Sequence, residues 1–148
     1  MKGTKIVLAV LALWLVTSSV QGNPLFFPLS EHTMAKDVAM NSMPIWRTFT
    51  FSSQDEQAVS WLNIWRDNKI HNVEWRWYYP GGRVYARSYG VVPASDGFLG
   101  LWGAPIWSTL KIKGCDVEAI PGLWKVVVLV DYQKVAEEYF TIDGGRAC

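Results

Sequence analysis

Between Arg47 and Ile142, apolar side chains recur at every second position, and clusters of Gly, Pro, Asp and Asn break the pattern into short runs. A period of two sends successive side chains to opposite faces of an extended chain, so such a stretch buries one face only as a β-sheet. The clearest run is "HNVEWRWYYPGG" at 71–82. Val73, Trp75, Trp77 and Tyr79 share one face of it and Glu74, Arg76 and Tyr78 the other. The first set is continuously apolar and belongs against an opposing sheet, where each large ring buries about 150–250 Å². The Pro-Gly-Gly that follows predicts a hairpin returning through "RVYARSYG" at 83–90.

Further runs predict strands over 47–52, 57–65, 107–114, 122–130 and 134–142, the last two joined by a tight "DYQ" turn. "VVPASDGFLGLWGAP" is punctuated by Gly and Pro and reads as a loop. About seven short strands with hardly any helix specify an all-β antiparallel sandwich over 47–143. The run "AVSWLNIWRD" leaves two assignments open. Either Leu62 and Ile64 face the core with Trp61, Asn63 and Trp65 outward, or the reverse. Before the sandwich, 23–46 is interrupted by Pro24, Pro28 and Pro44 and reads as an irregular strap, with a short helix over 30–40 capped by Ser30. Residues 144–148 form a short tail.

The chain begins with basic "MKGTK", continues through apolar "IVLAVLALWLV" and closes the segment with small and polar "TSSVQG". These three parts match a secretory signal peptide over 1–22, with a mature start at Asn23. An apolar run of eleven residues falls short of the roughly 20 needed to cross a bilayer, so no stable membrane insertion is expected after cleavage. Loss of Lys2 and Lys5 from 14 basic residues leaves 12 against 13 acidic ones, a formal charge of about −1. Without a basic block the electrostatic footprint of a nucleic-acid binder is missing. A secreted or periplasmic location makes a disulfide between Cys115 and Cys148 the natural expectation, with a disordered tail or pairing of Cys148 to another chain as the alternatives.

Catalytic chemistry finds little support. His32 and His71 are the only histidines, with no accompanying nucleophile or metal-ligand spacing. Adjacent carboxylates such as Glu137 and Glu138 point to opposite faces of a strand and cannot act as a pair. His32, Met34, Met40 and Met43 have soft-metal donor chemistry, but their irregular spacing reads as packing under a strap. No enzyme activity and no cofactor are expected. The binding candidates are aromatic: Trp61 and Trp65 flanking Asn63, with Arg66 and Arg76 at the rim, and Trp102 and Trp107 in the Gly-rich loop. Trp and Arg are favoured at protein interfaces, and Trp platforms with a nearby amide also suit sugar rings.

The C-terminal "PGLWKVVVLVDYQKVAEEYFTI" resembles the closing hairpin of immunoglobulin-like and macroglobulin-like sandwich domains of secreted bacterial proteins. The positions carrying the resemblance are Gly122, Trp124, Val126, Val128, Phe140 and Ile142, and "VEWRWYYPGG" is similar to the family's central strand and turn. Tyr132 departs from the pattern, because such turns prefer Gly or Asn. The resemblance implies an immunoglobulin-like fold and a role as spacer, adhesion unit or partner-binding module. The expected function is therefore an exported, non-catalytic protein-interaction or assembly module, with carbohydrate binding through exposed tryptophans as the alternative.

Overall fold

The computed structural model describes residues 29–65, 67–94 and 103–144. The expected leader lies outside them, as do Arg66, Trp102 and Cys148. Among the described residues nine strands form two sheets: β1 (Leu29–Val38), β2 (Pro44–Arg47), β3 (Thr50–Ser52), β4 (Gln57–Ile64), β5 (His71–Tyr78), β6 (Val84–Val92), β7 (Ala104–Lys111), β8 (Gly122–Val130) and β9 (Gln133–Asp143). The four-stranded sheet runs β2-β1-β4-β7 and the five-stranded sheet β3-β9-β8-β5-β6. Neighbours are antiparallel except for β3, which lies parallel to β9.

The sandwich expected from the alternation is present, but it begins earlier in the chain. The segment expected to be a strap with a helix over 30–40 supplies β1 and β2. Tertiary pairing overrides the local helix signal here. Residues from Leu29 to Ala35 pair with β4 from Ile64 back to Val59, which satisfies backbone groups that β4 would otherwise leave open on that side. The alternation then sends Met34 into the core, where it is 0% exposed. Met40 and Met43, expected to pack beneath the strap, are exposed in and beside the β1–β2 turn. The run expected as one strand over 47–52 is divided between β2 and β3, so the chain changes sheets between Arg47 and Thr50.

Trp75 and Trp77 face inward as the alternation requires, each 1% exposed. They join Leu62, Ile64, Trp124, Val126, Val128, Phe140 and Ile142 in the principal core. Phe140 stands at its centre, edge-on to Phe51 at 5.6 Å and to Trp77 at 5.9 Å between ring centroids. Small residues opposite the rings make the space for them. At Gly90 an added Cβ would lie 2.7 Å from Ile106 Cδ1 and 3.3 Å from Trp75. The β8–β9 connection is a two-residue turn with both central residues left-handed, Asp131 at φ 49° and Tyr132 at φ 68°. That conformation matches the strand twist, but it favours Gly or Asn, and Tyr132 holds it at a cost.

Candidate interaction surfaces

The expected binding residues divide between opposite sides of the sandwich. On β4, Leu62 and Ile64 point into the principal core, so Trp61, Asn63 and Trp65 belong to the outer face of the four-stranded sheet. Trp61 is nevertheless only 1% exposed. It packs with Ala35 and Val59 in a second small cluster, and its indole Nε1 donates to the Ser42 carbonyl in the β1–β2 turn at 2.8 Å. Neither open assignment foresaw this: the ring points away from the core and is still buried. Trp61 is therefore structural and cannot serve as a platform. Asn63 packs against Gly103, where a Cβ would come within 2.1 Å of Asn63 Oδ1.

Trp65 and Trp107 do remain open, at 45% and 41% exposure. Trp107 lies directly opposite Trp61, so Trp65 is four residues, or about 13 Å, further along the strand direction. Trp46 is exposed as well, in a left-handed conformation at φ 54°, and nothing in the period-two pattern marked it.

Arg76 lies on the other side of the molecule, on the outer face of the five-stranded sheet. It is opposite Arg87 on β6 and Val127 on β8. Its Nε and Nη2 donate to the two carboxylate oxygens of Glu74 at 2.7 and 3.0 Å. That hydrogen-bonded guanidinium holds Glu74 below the usual carboxylate range. Beside it Lys125 Nζ sits 4.7 Å from the Tyr78 ring centroid and 5.8 Å from that of Tyr139, a cation held between two aromatic faces. Val127 and Leu129 lie nearly buried on this face, while Tyr89 and Tyr132 stand out at 71% and 88% exposure. Together with Asn72, Val73, Glu74 and Leu129, these two tyrosines line a pocket of about 160 Å³. Its visible signal in the sequence was Tyr132 itself, at a turn position where Gly or Asn is usual.

A charged clamp anchors that corner. His71 Nδ1 lies 2.7 Å from Asp131 Oδ2 and Nε2 lies 2.8 Å from Asp67 Oδ1. Burial opposes a charge on the ring, yet the hydrogen bonds to Asp131 and Asp67 outweigh it and raise the His71 pKa. The hydrogen bond from His71 in turn lowers the pKa of Asp67. Asp131 Oδ1 also accepts the Asn72 amide at 2.9 Å, so one carboxylate ties the turn carrying Tyr132 to the start of β5. Partial burial pushes the Asp131 pKa up, and the Asn72 amide and His71 ring together hold it below its ordinary value.

A second histidine lies between the sheets. His32 Nε2 is 2.9 Å from Ser60 Oγ, and Nδ1 is 3.5 Å from Glu138 Oε1. These residues superficially match a nucleophile, base and orienting acid. Ser60, however, is 0% exposed and offers no approach to a substrate carbonyl. Burial holds the His32 pKa below its ordinary value despite the nearby Glu138. Cys115 is exposed, and its expected partner Cys148 falls outside the described residues.

No protein-family model and no curated relative matches the chain. Among solved structures, an immunoglobulin-like protein of Pseudomonas aeruginosa aligns with a TM-score of 0.50 at 11% identity, covering 76% of this chain and 91% of that one. The alkylpurine DNA glycosylase of Pseudomonas fluorescens, bound to DNA containing an abasic site analogue, aligns with a TM-score of 0.42 at 14% identity. That match covers 77% of this chain and 31% of the glycosylase, and it carries no functional weight. Two sheets in this strand arrangement and the Pseudomonas aeruginosa likeness identify the fold as an all-β immunoglobulin-like sandwich.

Proposed function

We propose that this chain is an exported, non-catalytic protein-interaction module that binds its partner through the outer face of the five-stranded sheet. The observation carrying this reading is Tyr132, an 88% exposed aromatic held in a left-handed turn conformation. Local strain of this kind costs about 1–3 kcal/mol and concentrates at functional sites. Tyr89 across the pocket, the near-buried Leu129 floor and the neighbouring Arg76 and Arg87 supply the residue types that dominate protein interfaces. Export rests on the basic start, apolar run and small-residue end of the first 22 residues. The buried position of Ser60 beside His32 supports a role without catalysis.

The test is co-purification at a fixed ratio, comparing the leader-free protein with Tyr89→Ser and Tyr132→Gly variants. Loss of the partner in both variants, with folding intact, is the expected result. Undiminished recovery with both would sink the reading. Carbohydrate binding remains the second reading, because Trp65 and Trp107 are exposed on the four-stranded sheet. It predicts retention on polysaccharide, release by a soluble sugar, and loss on Trp65→Ala and Trp107→Ala instead.

A further inference from the structure

A sheet edge exposes a row of unpaired backbone groups, and native proteins blunt such edges with short strands, Pro or Lys. Three of the four edge strands here are blunted. β2 has four residues and starts at Pro44, β3 has three residues, and β7 carries Pro105 and Lys111. β6 differs. It has nine residues, "VYARSYGVV", with neither Pro nor Lys, and among the described residues it pairs with a strand only on its β5 side.

The register shows which groups are open. Asn72 directs its carbonyl toward the β8 side, accepting from Asp131 N at 2.8 Å. Alternate β5 residues Val73, Trp75 and Trp77 therefore direct theirs toward β6, opposite Gly90, Ser88 and Ala86. The intervening Arg87, Tyr89 and Val91 turn N–H and C=O away from β5, toward the open edge. Arg87, Tyr89 and Val91 are also exposed through their side chains on the outer face. The strand and its approach hold Arg83 and Arg87 and no carboxylate from Tyr79 to Val92. Glu74 is already taken by Arg76 at 2.7 Å, with Arg87 more distant at 3.9 Å.

We infer that β6 accepts an extended acidic segment of a partner protein as a sixth strand of the five-stranded sheet. Main-chain bonds to Arg87, Tyr89 and Val91 supply affinity, and carboxylates beside Arg87 supply selectivity. A second copy of β6 suits this edge less well, because it would bring two more arginines and no acid across the new pair, and like charges there destabilise. Strand addition here uses the main chain of β6, whereas the pocket uses the Tyr89 and Tyr132 side chains.

The probe is a nine-residue peptide of threonines alternating with glutamate and valine in turn, compared with its lysine counterpart. The readout is amide hydrogen exchange. The acidic peptide is expected to slow exchange at Arg87, Tyr89 and Val91, and to bind about tenfold more tightly than the lysine peptide, from the reversal of the cross-strand charge facing Arg87. Val91→Pro removes one edge donor without touching the β5 ladder and is expected to abolish the protection, while Val91→Ala retains it. Should Val91→Pro fail to fold, Arg87→Glu provides the check by reversing the peptide preference. Tyr132→Gly leaves peptide addition unchanged, which separates this inference from the pocket reading. Absence of protection, equal binding of both peptides, or binding that survives Val91→Pro overturns the proposal. Protection that grows with protein concentration alone assigns the edge to a second copy and overturns it too.

Discussion

Replacing Tyr132 with glycine is expected to stabilise the fold while abolishing the partner binding proposed for it. The left-handed conformation at φ 68° costs an L-residue about 1–2 kcal/mol, and glycine adopts it without that penalty. Glycine returns about 0.5–1 kcal/mol through the greater freedom of its unfolded chain. The Tyr132 ring is 88% exposed, so its removal forfeits little buried surface. The balance is a gain of about 0.5–1 kcal/mol, or a rise in Tm of about 2–5 °C for a domain of this size. Urea and thermal unfolding measure the change, with Tyr132→Asn as an intermediate case that tolerates the same backbone. A fall in Tm of several degrees would refute the reasoning, because the ring's contacts would then outweigh the strain. Stability rising as partner binding falls is the signature expected of a residue retained for function.

The His71 clamp predicts a pH profile. The folded-state pKa of His71 is raised, so its contribution is complete below about pH 6.5 and fades as pH rises through the folded value. Asp67 and Asp131 are lowered, so theirs is present above about pH 4 and fades as pH falls through their folded values. The urea midpoint difference between wild type and His71→Gln should shrink from pH 6 to pH 9; a constant difference contradicts the clamp. Trp61→Phe loses the bond to Ser42 and should cost about 1–3 kcal/mol without changing the acrylamide-quenched fluorescence. Trp65→Phe should remove a strongly quenched component at a stability cost within about 0.5 kcal/mol. Gly90→Ala should destabilise by about 1 kcal/mol, the low end of the overpacking range, because the tip of Ile106 can turn aside. Shortening the contact with Ile106→Val should recover part of that loss, and additive effects in the double variant would show the two sites to be uncoupled.

Strand β5 was legible from the sequence because its two faces differ in chemistry at every step, from Val73 to Tyr78. β1 was not. Ser30 and Glu31 carry a local helix signal, and the strand exists because of β4, some 30 residues away. Trp61 escaped for a different reason: alternation assigns a face, but only the β1–β2 turn folding over that face decides burial. Arg76 was grouped with Trp61 and Trp65 because the pattern does not say which strands share a sheet. The clamp was equally hidden, since His71 and Asp131 are 60 positions apart. Tyr132 was the exception, marked by a residue type that its turn does not favour.

The parallel pairing of β3 with β9 has a consequence for biosynthesis. Thr50 registers with Thr141 and Ser52 with Asp143, about ninety residues later in the chain. β9 is also an interior strand of its sheet and brings Phe140 to the centre of the core. A nascent chain lacking β9 therefore has neither a docking strand for β3 nor the ring around which the aromatic core assembles. Such long-range closure is slow to form. A polypeptide emerging from the ribosome can complete neither this pairing nor this core until β9 has been made.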